Sequence, residues 1–190
     1  MKLCSYVVMI DSGFAPNPFW RYCTLAACTP NHMRLGLEPG DWILGNRSDH
    51  EHRLIYAMQV DERLCLDCYY QNPRFVRKRP STRTWRQQCG DNIYFRNEQG
   101  DHEQDPAAHF HTDPGRQSQD IRGDRVFVSK HYFYFGENAV KLPSRFNALI
   151  HHGRGAHYSH GRIVQDFAKW IEGFRCGMHG LPTDREGCHF

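Results

Sequence analysis

"EPGDWILGNRSDHEHRLIYAMQV", residues 38–60, holds the pattern on which the fold turns. Pro39 and Gly40 set a turn, and Asp41 is suited to hydrogen-bond the local backbone. Trp42, Ile43 and Leu44 follow as a short β-prone run that stops at Gly45. After a polar link, "RLIYAMQV" supplies a second run, so strands over 41–46 and 53–60 read as a hairpin. The same enrichment predicts strands at 3–10, 125–129 and 131–135. Near the end, "GRIVQDFAKWIEGF" puts Ile163, Val164, Phe167, Ile171 and Phe174 on one helical face, a helix that packs on the sheet. Strands and helices do not alternate as βαβ units. The expected class is α+β, with a curved, partly closed antiparallel sheet and a few packed helices.

With 190 residues, 39% hydrophobic and 24% charged, the chain suits one domain with a real core. That domain is expected over 1–175, with 176–190 as a loose tail. No apolar run approaches the roughly 18 residues that cross a bilayer, so no membrane partner is expected. The opening "MKLCSYVVMIDSG" has the lysine and apolar run of a secretory signal. Asp11 follows at once without a small-residue cleavage pattern, so the run reads as a first strand. Eight cysteines without an export signal are then expected as reduced thiols in a cytoplasm. The net charge of +3 is modest, but six of the thirteen residues in "RFVRKRPSTRTWR" (74–86) are Arg or Lys and none is acidic.

Two stretches do not read as regular structure. "GFAPNPFW" (13–20) gathers three aromatics and two prolines into a shaped loop, which either folds onto the core or lines a pocket for something flat. Residues 72–124 are rich in Asn, Asp, Gly, Arg and Gln, with only "NIYF" looking ordered, which is a long connection for a compact domain.

The blocks "SYVVMIDSGFAPNPFWRYCTLAACTP", "GDWILG", "LIYAMQV", "NPRF", "CGDNIY" and "RVFVSKHYFYFGENAVKLP" occur in order over about residues 4–150. Together they resemble the nucleotide modification associated domain, type 2, of bacteria and their phages. The resemblance implies an association with DNA base modification and carries over no catalytic residue. Met9-Ile10 departs from the polar or basic residue usual before the aspartate that is Asp11 here, and the pair Cys65 and Cys68 is not expected of the family. Gly-Asp before an aromatic strand and a hairpin partner is also shared, by analogy only, with small open barrels of the pseudouridine-synthase-and-archaeosine-transglycosylase (PUA) type.

Recognising a nucleobase needs a flat apolar slot with donors and acceptors at its edge. Phe14, Phe19, Trp20, Trp42 and Tyr94 are candidates for the faces, and Asn17, Asp91 and Asn92 for the edge. Each could equally be core or turn. Arg74, Arg77, Lys78, Arg79, Arg83 and Arg86, with Arg154 in "LIHHGRGAHY", are candidates for phosphate contacts. The partner expected is DNA, RNA or a nucleotide, together with other proteins of a modification system.

Other constellations have simpler readings. "HEH" (50–52) and "HFH" (109–111) are spaced like ligands, and "HTD" (111–113) fits half of an iron triad completed by His151, His152 or His157. Yet "HTDPG" is also a plain turn. "CLDC" (65–68) and "CGMH" (176–179) have zinc spacing through Cys65, Cys68, Cys176 and His179, and zinc there stays open. No metal or cofactor is assigned. Nothing local lowers the thiol pKa of Cys23, Cys28 or Cys89, and no P-loop or dinucleotide fingerprint occurs.

The function expected is binding of a modified or flipped nucleobase within a DNA modification or defence system. The alternative is an enzyme on a nucleotide or base, a glycosidic-bond hydrolase or transferase, in which Asp11 or Asp91 works with His151 or His152. A protein-binding scaffold is the third class.

Overall fold

The computed structural model describes residues 1–27, 36–49 and 51–184. Cys28, His50 and the last six residues of the expected tail lie outside them. In chain order the elements begin with β1 (Lys2–Val8), β2 (Cys23–Leu25), β3 (Trp42–Arg47), β4 (Leu54–Gln59), β5 (Glu62–Leu64) and α1 (Leu66–Gln71). There follow α2 (Trp85–Gln88), β6 (Tyr94–Arg96), β7 (His102–Gln104), α3 (Pro114–Gly123), β8 (Val126–Ser129) and β9 (Tyr132–Tyr134). The chain closes on β10 (Ala156–His160), α4 (Arg162–Ile171) and β11 (Gly177–Met178).

The fold is mixed α+β. A strongly curled half-barrel of six strands runs in the order β10-β1-β3-β4-β9-β11. Residues 38–60 form its centre as expected: β3 and β4 pair antiparallel, Trp42 opposite Gln59 and Leu44 opposite Ala57. Asp41 staples the entrance, accepting from Lys2 N at 2.7 Å and Glu38 N at 3.1 Å. The sheet is not antiparallel throughout, because β1 lies parallel to β3 and β11 parallel to β9. A parallel neighbour requires a long crossover. Here residues 9–41 supply it, dropping β2 into a second sheet with β8 and β5 on the way.

Continuous apolar runs reflect burial on both faces. Tyr6, Ile43, Met58 and Tyr134 pack with Cys23, Leu25 and Phe127 of the second sheet. On the other face Leu3, Trp42, Leu44 and Phe133 meet Val164, Phe167 and Ile171 of α4, which confirms the amphipathic helix. Gly45 is required where β3 passes β4, since a Cβ there would overlap the Tyr56 ring and lie 2.7 Å from Val8 Cγ2.

Residues 72–124 are not a bare connection. They contain a 3-10 helix over Pro73–Lys78, α2, a β6–β7 hairpin and α3, which starts on an Asp113 cap and Pro114. Single large side chains tie them down: Tyr69 of α1 packs with Phe75, Ile93, Tyr94, Val126 and Val128 in a third apolar cluster. The expected loose tail is also corrected over 176–184. His179 N donates to Tyr134 O (2.7 Å), Glu137 N to Leu181 O (2.8 Å) and Asp184 N to Asp11 O (3.0 Å). No helix among the described residues is long and apolar enough to cross a membrane.

Candidate functional site: an aromatic cleft at the end of β1

The end of β1 and the chain after it, Tyr6 to Ile10 and Ser12 to Ala15, form one side of a cleft of about 520 Å³. Residues 109–113 with Arg116 and Gln119 of α3 form the other. Phe110 is half-buried and stacks on Phe14, with ring centroids 4.5 Å apart and planes at 18°. His111 meets Phe14 edge-on at 5.1 Å. Its Nδ1 lies 2.6 Å from Oδ2 of Asp120, which is fully buried and also accepts from Tyr94 OH at 2.8 Å. A carboxylate at Nδ1 fixes both ring orientation and tautomer. His111 also holds a positive φ of 55°, an uncommon conformation for a residue with a Cβ. The cleft therefore offers an aromatic wall, an apolar floor, and a rim of imidazole, carboxylate, guanidinium and amide groups.

A smaller cleft of about 180 Å³ adjoins it across Val8 and Met9, lined also by Asp11, Arg47, Thr183 and Asp184. Asp11 is nearly buried and accepts from Tyr134 OH at 2.5 Å and Thr183 N at 3.3 Å. Burial raises its carboxyl above the ordinary 3.8, against the lowering by those hydrogen bonds.

Of the eight expected base contacts, only Phe14 lines the larger cleft. Trp42 lies in the core against Phe133 and Phe167, on the α4 side of the sheet, with no face for a ligand. Asn17, Asp91 and Asn92 are brought close to the same interior region and hydrogen-bond within it. Asn17 Nδ2 donates to Cys89 O (2.8 Å), Asp91 accepts from Thr24 Oγ1 (2.7 Å) and Tyr69 OH (2.8 Å), and Asn92 Nδ2 donates to Tyr69 O and Phe75 O. Phe19 is buried, while Trp20 beside it is half-buried. Tyr94 is interior and reaches the cleft only through Asp120.

Among the phosphate candidates, Lys78 is corrected outright. Its Nζ is buried and donates to Asn17 O (2.9 Å), Asn17 Oδ1 (2.7 Å) and Tyr22 O (3.0 Å). Burial pulls it down to about 8, opposed by the charge of Asp91, whose own carboxyl burial lifts. Arg74 is held by Glu62 through two contacts of 2.5 and 2.8 Å, and Arg79 lies over Tyr70 and donates to its carbonyl. Arg77, Arg83, Arg86 and Arg154 are exposed. Arg77 lies over Trp20 and Arg86 over Trp85, on a surface whose apolar cluster also takes in Phe110.

The metal readings lose their geometry in part. Cys65 and Cys68 are joined as a disulfide, against the expected reduced thiols. The His179 ring stacks on Phe135, and Asp113 caps α3 rather than turning toward His111. Among the described residues no group of three or more His, Cys, Asp or Glu side chains is placed to hold a metal ion. His152 meets the ring of His52, and His151 Nε2 lies 3.2 Å from Arg154 O, so neither is engaged with Asp11 or Asp91.

The sequence profile of the nucleotide modification associated domain 2 family matches residues 1–187. The chain belongs to that family. No curated protein and no solved structure gives a significant match. The family suggests a role in a DNA modification context. Sequence reasoning did not assign His109, Phe110, Arg116 or Asp120 to a base site. The signal available was "HFHTDPG", an aromatic between two histidines just before a helix start, which reads as metal spacing when taken alone.

Proposed function

We propose that the protein binds a nucleobase, modified or flipped from its strand, in the cleft between β1 and α3, as part of a DNA modification or defence system. The observation that carries this reading is Phe110: a half-buried ring, backed by Phe14, walls a cleft of about 520 Å³ whose rim carries both donors and acceptors. A planar heterocycle gains stacking on such a ring worth about 1–3 kcal/mol per base. His109, His111, Asp113 and Gln119 are the groups at hand for its edge, and Arg116 for the attached phosphate. Arg77 and Arg86, over Trp20 and Trp85 of the cluster that takes in Phe110, and the exposed Arg83 of the same run are the basic groups for the flanking strand, with DNA, RNA or a nucleotide as ligand.

The test is incubation with genomic DNAs of differing modification, read by retention and by nucleoside mass spectrometry. Retention with unchanged nucleoside masses, lost in Phe110→Ala, is the expected result. No retention of any DNA contradicts it. A second reading, an enzyme acting on the base or its glycosidic bond, is favoured by the His111–Asp120 pair at 2.6 Å, an oriented imidazole in a cleft. A changed nucleoside mass would select it. A scaffold for another protein leaves the polar rim unused.

A further inference from the structure

Met9 and Ile10 are 74% and 66% exposed, and both stand at the rim of the larger cleft. Among the described residues the other exposed large hydrophobics are Met1 and Val76. Two adjacent apolar side chains in water are unfavourable unless something covers them, and here they are held out by rigid anchors. Val8, the last residue of β1, pairs with Arg47 of β3. Three residues beyond, Asp11 N donates to Asp184 Oδ2 (2.8 Å), Asp184 N to Asp11 O (3.0 Å), and Tyr134 OH to the Asp11 carboxylate. Met9-Ile10 is thus a short apolar finger on a fixed base, beside a cleft sized and lined for a planar ring.

Resting on the base-binding reading above, we infer that the partner is duplex DNA and that Met9-Ile10 is a wedge that enters the base stack where the bound base has left it. A base drawn from a duplex leaves a gap flanked by two apolar faces, and an inserted aliphatic side chain restores those contacts. Cleft and finger must then be neighbours, which they are through shared walls at Met9 and Ile10. The charge around them suits the same partner. Arg116 lies on the cleft, and beyond Phe110 the exposed Arg77 and Arg86 cover Trp20 and Trp85. A single strand, having no stack to fill, gives the finger no task.

The test compares binding of a short duplex carrying a central mismatched 2-aminopurine with binding of the same strand alone, for wild type, Met9→Ser/Ile10→Ser and Phe110→Ala. Both wedge residues are exposed, so the double variant keeps the wild-type thermal midpoint. It is expected to lose about tenfold or more on the duplex and markedly less on the single strand, where only the cleft wall at Met9 and Ile10 is altered, with a weaker rise of 2-aminopurine fluorescence on the duplex, since unstacking costs a few kcal/mol per step. Equal loss on both forms, no loss on either, or no binding of either form by wild type overturns the wedge. Loss on the duplex in the double variant with no effect of Phe110→Ala on either form keeps the wedge and removes the base cleft. Sedimentation of wild type with anionic lipid vesicles, abolished in the double variant while duplex binding stays intact, assigns the finger to a lipid surface and also overturns the proposal.

Discussion

Lys78 is the clearest case at residue scale of a side chain whose type suggests one role and whose surroundings impose another. In a run of arginines it reads as a phosphate ligand, but it is the cation that satisfies three acceptors deep in the protein. Lys78→Met strands those acceptors and removes the charge that opposes the rise at Asp91, so about 3–5 kcal/mol of stability should be lost in denaturant unfolding. Asp11 makes a second prediction. Its carboxyl is raised above 3.8 in the folded chain, so the folded state binds this proton more tightly than the unfolded chain. The stabilisation from protonation is complete below 3.8 and is lost as pH rises through the folded value. Relative to Asp11→Asn, wild type should gain unfolding free energy as pH is lowered from neutral toward 4, as urea titrations at stepped pH would show. A flat difference across that range would contradict it. Asn17 and Asp91 show why the polar part of the site was not legible: an amide and a carboxylate have the same letters whether they face a ligand or a buried hydroxyl.

Among the elements, those with strong apolar content were legible and those held by polar anchors were not. The β3–β4 hairpin and α4 follow from the runs of Trp42 to Leu44 and Leu54 to Met58 and from the 3.6-residue spacing of Val164, Phe167 and Ile171. Between 72 and 124 each short element contributes about one large side chain, such as Phe75, Trp85 or Tyr94, and otherwise relies on caps by Asn72, Thr84 and Asp113. Periodicity cannot register an element of four or six residues. Gly90 belongs to the same class, since a Cβ there would come within 2.7 Å of Pro80 N and crowd the backbone at Lys78. A prediction belongs at this scale too. Gly45→Ala drives a methyl into Tyr56 and Val8, and should cost about 1–3 kcal/mol in unfolding free energy. Wild-type stability in that variant would mean that β3 and β4 are not so closely apposed.

For the whole molecule, the curled sheet and the second sheet fix where β1 ends, and residues 109–113 with the start of α3 bring an aromatic and several polar groups to that point. α+β class, the hairpin at the centre of the main sheet and the family were all readable, whereas the second sheet and the parallel pairing of β1 with β3 were not, because register depends on a crossover that no local pattern encodes. The basic surface makes the salt prediction. Nucleic-acid affinity should fall steeply with salt, and Arg83→Gln should reduce the slope of log affinity against log salt by about one. Arg74→Gln should change it less, because Glu62 already holds that guanidinium. Equal slopes for wild type and Arg83→Gln would place the strand elsewhere. The central claim, a base held against Phe110, is tested most directly by titrating isotope-labelled protein with deoxynucleoside monophosphates and following amide and aromatic-ring NMR shifts. Shifts confined to residues 6–15 and 109–119, with base-to-ring Overhauser effects at Phe110, are predicted. Shifts confined to 74–86, or none at all, would contradict it.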